Sequence, residues 1–434
     1  MTPLQHHLRV GTAFRRTPKE VFACIFELVT ADQSLRDLRA ICLVCRTWYK
    51  LAISLPKLWS YLPISRNASV TKLILWLQRS RDHALHIAAP GPEVDCLEDR
   101  MPFPSRFDIQ DAMLPILARC GTLSFSCLQK DPEDSRGLEW VKKLDGQTFH
   151  RLEALSLHFS THDIEFPSTC SFPRLRSLGV SRGTCKWPLA IIPRSSPTLT
   201  SFSLSNVSSS YSLSILDVLS ALISAPSLEH FELYEVEWTQ PNGDTGIPLI
   251  VNLTNLVSLS LTSVDDAFDI IQPLQIPRLR KLAIGDVNGD LGPVFADIAR
   301  KTSSIQQLTT GLWEDHFVAD SEMGLIELLE KQRELQSLVV GNASLSRALI
   351  QRLTPYLTTN GSADDGLCPQ LTSLELPAHL ECVQEIHTMV QSRFAAGMQL
   401  KALTLIGAVD SSWDIESLAL YVRKLKVEKG NDID

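Results

Sequence analysis

The chain lacks any continuous run of about 18 apolar residues, so no segment is expected to cross a membrane as a helix. Its opening stretch, MTPLQHHLRVGTAFRR, has no apolar core of the kind a secretory signal needs, which points to cytosol or nucleus. A basic cluster is also missing. The 41 Lys and Arg are spread among 49 Asp and Glu, giving a net charge of −8, and this argues against nucleic acid as the main partner. Ten cysteines occur at irregular spacing in apolar contexts such as Cys24, Cys42, Cys120 and Cys382. Buried thiols are expected, not a disulfide frame. There is no G-x-S-x-G, no H-E-x-x-H and no phosphate-binding glycine loop. Cys42 and Cys45 have redox or zinc spacing, but no second pair accompanies them, so core packing is the expectation. His158, His162 and His230 are scattered with no nucleophile fixed beside them. No enzyme activity, cofactor or metal is therefore expected.

What is present is a phrase: an apolar residue followed by others three and five positions on. It reads Leu152-Leu155-Leu157, Leu175-Leu178-Val180, Leu199-Phe202-Leu204, Leu228-Phe231-Leu233, Leu256-Leu259-Leu261 and Leu279-Leu282-Ile284. After Ile305-Leu308, with Thr310 in the third place, come Leu335-Leu338-Val340, Leu371-Leu374-Leu376 and Leu400-Leu403-Leu405. Nine steps cover the 248 residues from Leu152 to Leu400, about 28 each, which resembles the period of leucine-rich repeats. The last two apolar residues alternate with polar ones, so they share one face of a short strand. The strands of an ordinary parallel sheet would be continuous apolar runs.

Between the phrases lie helical candidates at Ile215 to Ser224, Val294 to Lys301, Gly324 to Gln332, Ala348 to Leu357 and Cys382 to Phe394. Each strand and helix hides its leucine layer only when stacked on the next. The expected fold is α/β: a solenoid with parallel strands on a concave face and helices or irregular connections on the convex one. A chain of 434 residues is long for one compact core, and a solenoid escapes that limit.

Ahead of the repeats, residues 17–62 read TPKEVFACIFELVTADQSLRDLRAICLVCRTWYKLAISLPKLWSYL. Thr17, Pro18 and Glu20 suggest a capped helix start, and Ser34 with Asp37 a second. Val21, Phe22, Ile25, Phe26, Leu28 and Val29 have helical spacing. Three helices of about ten residues cannot hide all their apolar groups among themselves, so a face is left for a partner or for the rest of the chain.

This stretch, about a tenth of the chain, resembles an F-box. Pro18, Glu20, Val21, Ile25 and Phe26 match the start of that motif. Val44, Cys45, Arg46 and Trp48 match its middle, and Leu58 and Trp59 its end; Thr17 stands where the family usually has Leu. The resemblance implies a substrate receptor of a cullin-RING ubiquitin ligase. It would bind a Skp-type adaptor, and through it a cullin-RING complex, by Pro18, Val21, Ile25, Leu43, Val44, Trp48 and Leu58. Which of these face outward is left open. A protein substrate is expected on the repeat surface. The strand around Leu233 is richest in anchors there, with His230, Glu232, Tyr234 and Trp238; Trp187 and Trp313 are weaker candidates. The alternative is a repeat scaffold whose head packs on its own solenoid. The expected organisation is a 1–16 arm, the 17–62 head, a 63–126 linker with irregular first repeats, a 127–426 repeat domain and a 427–434 tail.

Overall fold

A computed structural model describes residues 17–30, 35–63, 70–88, 114–127, 146–159, 169–181, 189, 191–192, 197–207, 213–238, 250–287, 290–311, 319–341, 347–355, 366–378, 382–407 and 413–428. The expected 1–16 arm, the Ser34 cap, His162, Trp187 and Trp313 lie outside these residues. The chain divides into two compact units, Met1–Leu178 and Gly179–Asp434.

The first unit opens with α1 (Lys19–Val29), α2 (Leu35–Val44) and α3 (Arg46–Ser54), followed by a 3₁₀ turn at Pro56–Trp59. Helix α1 starts one residue later than the capping signal suggests, with Pro18 itself in the cap position. Cys45 caps α3, its Sγ accepting from the Trp48 N–H at 3.5 Å. Phe26, Leu38, Ile41, Ala52, Leu58 and Trp59 form the buried core of this head. The core does not stop at residue 62. Trp59 donates its indole N–H to Ala52 O at 2.8 Å and meets Trp76 edge-on at 4.8 Å between ring centroids. Trp76 lies on α4 (Val70–Ser80) and donates to Tyr61 O at 3.0 Å. Four parallel strands follow in sheet order: β1 (Tyr61–Pro63), β2 (Leu85–Ala88), β3 (Cys120–Cys127) and β4 (Ala154–Phe159). Within 63–126 the described residues form α4, β2, a 3₁₀ turn at Leu114–Arg119 and most of β3.

Strand β5 (Ser177–Ser181) carries the boundary between the units. The second unit holds β6 (Ser201–Val207), α5 (Ile215–Ile223), β7 (His230–Val236), β8 (Val251–Asn252), β9 (Ser258–Val264), α6 (Ala267–Ile271), β10 (Leu274–Gln275) and β11 (Lys281–Gly285). It continues with α7 (Gly292–Lys301), β12 (Gln307–Gly311), α8 (Ala319–Lys331), β13 (Ser337–Gly341), α9 (Arg347–Leu353) and β14 (Ser373–Pro377). The last elements are α10 (Val383–Ala395), β15 (Ala402–Ile406), α11 (Ile415–Tyr421) and β16 (Lys424–Glu428). Strands β6, β7, β9 and β11 to β16 pair in that order, all parallel, and β8 pairs with β10 separately.

The repeated leucines explain this stacking. In each phrase the lead-in residue and both strand residues are buried, from Leu199, Phe202 and Leu204 to Leu400, Leu403 and Leu405. Full burial of such a side chain is worth roughly 1.5–3 kcal/mol, and each reaches it only against its neighbours. Thr310, which breaks the apolar phrase, is buried all the same, and its hydroxyl faces Val339 O at 3.4 Å. From Leu199 to Leu371 the residue after the lead-in supplies a carbonyl that accepts two successive N–H groups of the next repeat. Thr200 O takes Glu229 and His230; Glu229 O takes Val257 and Ser258; Val257 O takes Arg280 and Lys281.

Left-handed backbone at Asn206, Glu235, Ser263 and Asp286, with φ of 51 to 56°, then turns one more valine inward per repeat: Val207, Val236, Val264 and Val287. The L-x-L spacing alone does not reveal this fourth buried position.

Candidate functional site

Each unit carries one candidate surface. The first is α1 of the head. Phe22 and Phe26 point inward, where the Trp48 ring lies 5.9 and 4.9 Å from theirs. The opposite stripe stays open: Val21 is 45% exposed, Ile25 40% and Leu28 75%, with Val29 beside them. These residues recur at i, i+4 and i+7, so they share one side of the helix. At the end of α2, Leu43 is 74% exposed and Val44 is also open. Pro18 is exposed at the start of α1.

Two of the expected adaptor contacts do not belong to this surface. Leu58 lies buried in the head core, and Trp48 is half-buried against Phe22 and Phe26. Their match to the motif reflects packing of the three helices on one another. Cys42 also packs against that core, and burial pushes its thiol up from the ordinary value. Among the described residues no group of His, Cys, Asp and Glu is arranged to hold a metal ion, and no helix is long and apolar enough to cross a membrane.

The second surface is the polar side of strands β6, β7, β9, β11 and β12. Alternation sends Phe231, Leu233 and their counterparts inward and leaves His230, Glu232 and Tyr234 exposed. Parallel register then fixes lateral neighbours. His230, Ser258, Lys281 and Gln307 form one row; Glu232, Ser260, Ala283 and Thr309 form the next. The two rows and the adjoining Ser201 and Ser203 line a cleft of about 420 Å³. Tyr234 lies one row beyond it, where the Glu235 carboxylate hydrogen-bonds the phenol and raises its pKa.

Trp238 corrects the expectation of an exposed anchor. It is 6% exposed, and its indole N–H donates to Asp265 O at 2.7 Å. The left-handed residue Glu235 redirects the chain just before it, so the ring closes over the end of the repeat. Lys281 and Gln307 were not singled out by the sequence. They join His230 and Glu232 only through strand register across 49 to 77 residues of chain. His158 Nε2 lies 3.2 Å from Ser156 Oγ on β4.

No family model and no curated protein matches this chain. Among solved structures, a protein from Bacteroides fragilis is similar at 14% identity, covering 60% of this chain and 67% of that one, with a TM-score of 0.32. The TLR13–ssRNA13 complex is similar at 15% identity, covering 74% of this chain and 62% of that one, with a TM-score of 0.22.

Proposed function

We propose that the protein is a non-catalytic substrate receptor of a cullin-RING ubiquitin ligase. Its head is an F-box that binds a Skp-type adaptor, and its leucine-rich-repeat solenoid holds a target protein. The observation that carries this reading is the double-sided α1. Phe22 and Phe26 complete the head core, yet Val21, Ile25 and Leu28 stay in solvent, as do Leu43 and Val44 at the end of α2. Folding alone gives no reason to leave so many large apolar groups uncovered on a small head. An exposed apolar stripe of that kind marks an interaction site. The contribution of the protein would be physical: holding the target near a charged conjugating enzyme replaces a bimolecular encounter by a local one.

The test uses the full chain. Purified protein mixed with a Skp-type adaptor should elute as a stable complex from a sizing column. The pair Val21→Asp and Ile25→Asp should abolish that complex while circular dichroism and the melting temperature stay near wild type, since both side chains are open. Absence of a complex with the unmodified chain would sink the ligase reading and favour a repeat scaffold.

A further inference from the structure

We infer that the polar strand face of the second unit holds an extended peptide with a basic and an acidic side chain four residues apart and a small residue between them. This deepens the proposed receptor reading, since it assumes that the repeat surface captures a target; it uses no property of the helical head.

The cleft of about 420 Å³ has opposite charges on its two sides. Glu232 stands on β7 and Lys281 on β11, with Ser258 and Ser260 of β9 as the floor between them. Neighbouring strands lie about 4.8 Å apart, and alternate residues along one strand about 6.7 Å apart. Two strand spacings and one such step put the Glu232 and Lys281 Cα atoms about 12 Å apart on the diagonal. Among the described residues neither side chain makes a hydrogen bond or an ion pair. Other charged groups of this unit do pair, as Lys301 with Asp297 at 2.5 Å and Arg347 with Glu385 at 3.2 Å. The cleft therefore presents an unneutralised carboxylate and an unneutralised ammonium at fixed separation.

That separation selects the conformation of the occupant. In an extended segment alternate side chains face the same way, and residues i and i+4 are about 13 Å apart. A basic residue at one and an acidic residue at the other reach Glu232 and Lys281 together. The residue between them lies over Ser258 and Ser260, where hydroxyls are available but anchoring pockets are not. In a helix the same two residues are only about 5–6 Å apart and cannot span the cleft. Each opposed charge at such an open site should change affinity by roughly two- to fivefold.

The experiment uses the full-length protein and three fluorescein-labelled peptides built on Gly-Ser-X-Thr-Ser-Thr-Z-Thr-Gly. The X and Z positions are Arg and Glu, Arg and Arg, or Glu and Glu. Fluorescence anisotropy at low salt should show wild type preferring the mixed peptide. Lys281→Glu should shift the preference to the Arg/Arg peptide, and Glu232→Lys to the Glu/Glu peptide. This switch holds whichever way the peptide runs. Should either reversal disturb folding, Lys281→Gln should remove the penalty against Arg/Arg without reversing it. Equal binding of all three peptides, no binding of any, or the same preference in wild type and both reversals would overturn the inference. Adaptor binding, measured in parallel, should be unchanged by these substitutions. Loss of the receptor reading would appear as a wild-type chain that ignores the adaptor while its peptide preference persists.

Discussion

Replacing Gln332 by leucine should test whether adjacent repeats are joined by specific polar contacts as well as by apolar layers. Gln332 is fully buried at the end of α8. Its Oε1 accepts the Ile305 N–H at 3.0 Å, and its Nε2 donates to Thr302 O at 2.8 Å. One amide thus satisfies two backbone groups in the lead-in to β12, close to 30 residues earlier in the chain. Leucine fills a similar volume but satisfies neither group. Each buried group left without a partner costs about 1–3 kcal/mol. The added apolar area returns about 1–2 kcal/mol. The net loss should be about 2–3 kcal/mol.

Urea unfolding followed by circular dichroism gives the global effect, and hydrogen exchange at the Ile305 amide gives the local one. Gln332→Glu sharpens the test. One carboxylate oxygen can still accept from Ile305, but an ionised carboxylate cannot donate to Thr302 O, and only the protonated form restores that donor. The folded-state pKa of the introduced group is therefore raised above its unfolded value. Relative to wild type, the deficit should be smallest below the unfolded carboxyl range and should grow as pH rises through the folded value. An unchanged urea midpoint in Gln332→Leu, with the Ile305 amide still protected, would refute the reasoning.

Two further outcomes follow from local environments. Burial pushes the Cys120 and Cys368 thiols up to about 12, whereas Cys24 and Cys45 are exposed. Iodoacetamide at mildly alkaline pH should therefore label Cys24 and Cys45 in the native protein and reach Cys120 and Cys368 only after unfolding, as read by peptide mass spectrometry; native labelling of Cys368 would contradict its burial. In Gly324→Ala the added methyl would lie 2.5 Å from Gly292 O and 2.6 Å from Gly292 Cα, both backbone, so α7 and α8 must move apart. Melting should show a loss of about 1–3 kcal/mol, and an unchanged transition would mean that the two helices are not in such close contact.

The sequence made the repeat legible because burial is a local consequence of spacing. Every lead-in leucine from Leu152 to Leu400 is buried, and the helices at 215–223, 292–301, 319–331, 347–353 and 383–395 overlap the candidates that apolar periodicity offered, though the third starts five residues earlier and the fourth ends at Leu353. Even Thr310 keeps its place in the core, since position in the stack, not polarity, decides what is covered. The same logic does not reach Trp238, Leu58 and Trp48. An aromatic or apolar residue has the same letter whether it faces water or the interior. The turn at Glu235 and the packing of α1 to α3 decide which.

What the chain determined by itself was therefore its periodic core: alternation and leucine spacing allow only strands with one covered face. What tertiary structure alone decided was adjacency. Parallel register brought Lys281 and Gln307 beside His230 and Glu232, and the Trp59–Trp76 contact joined the head to the strands behind it. Lateral pairing is set by hydrogen bonds between repeats of unequal length, so no spacing rule within one repeat can foretell which side chains will share a cleft.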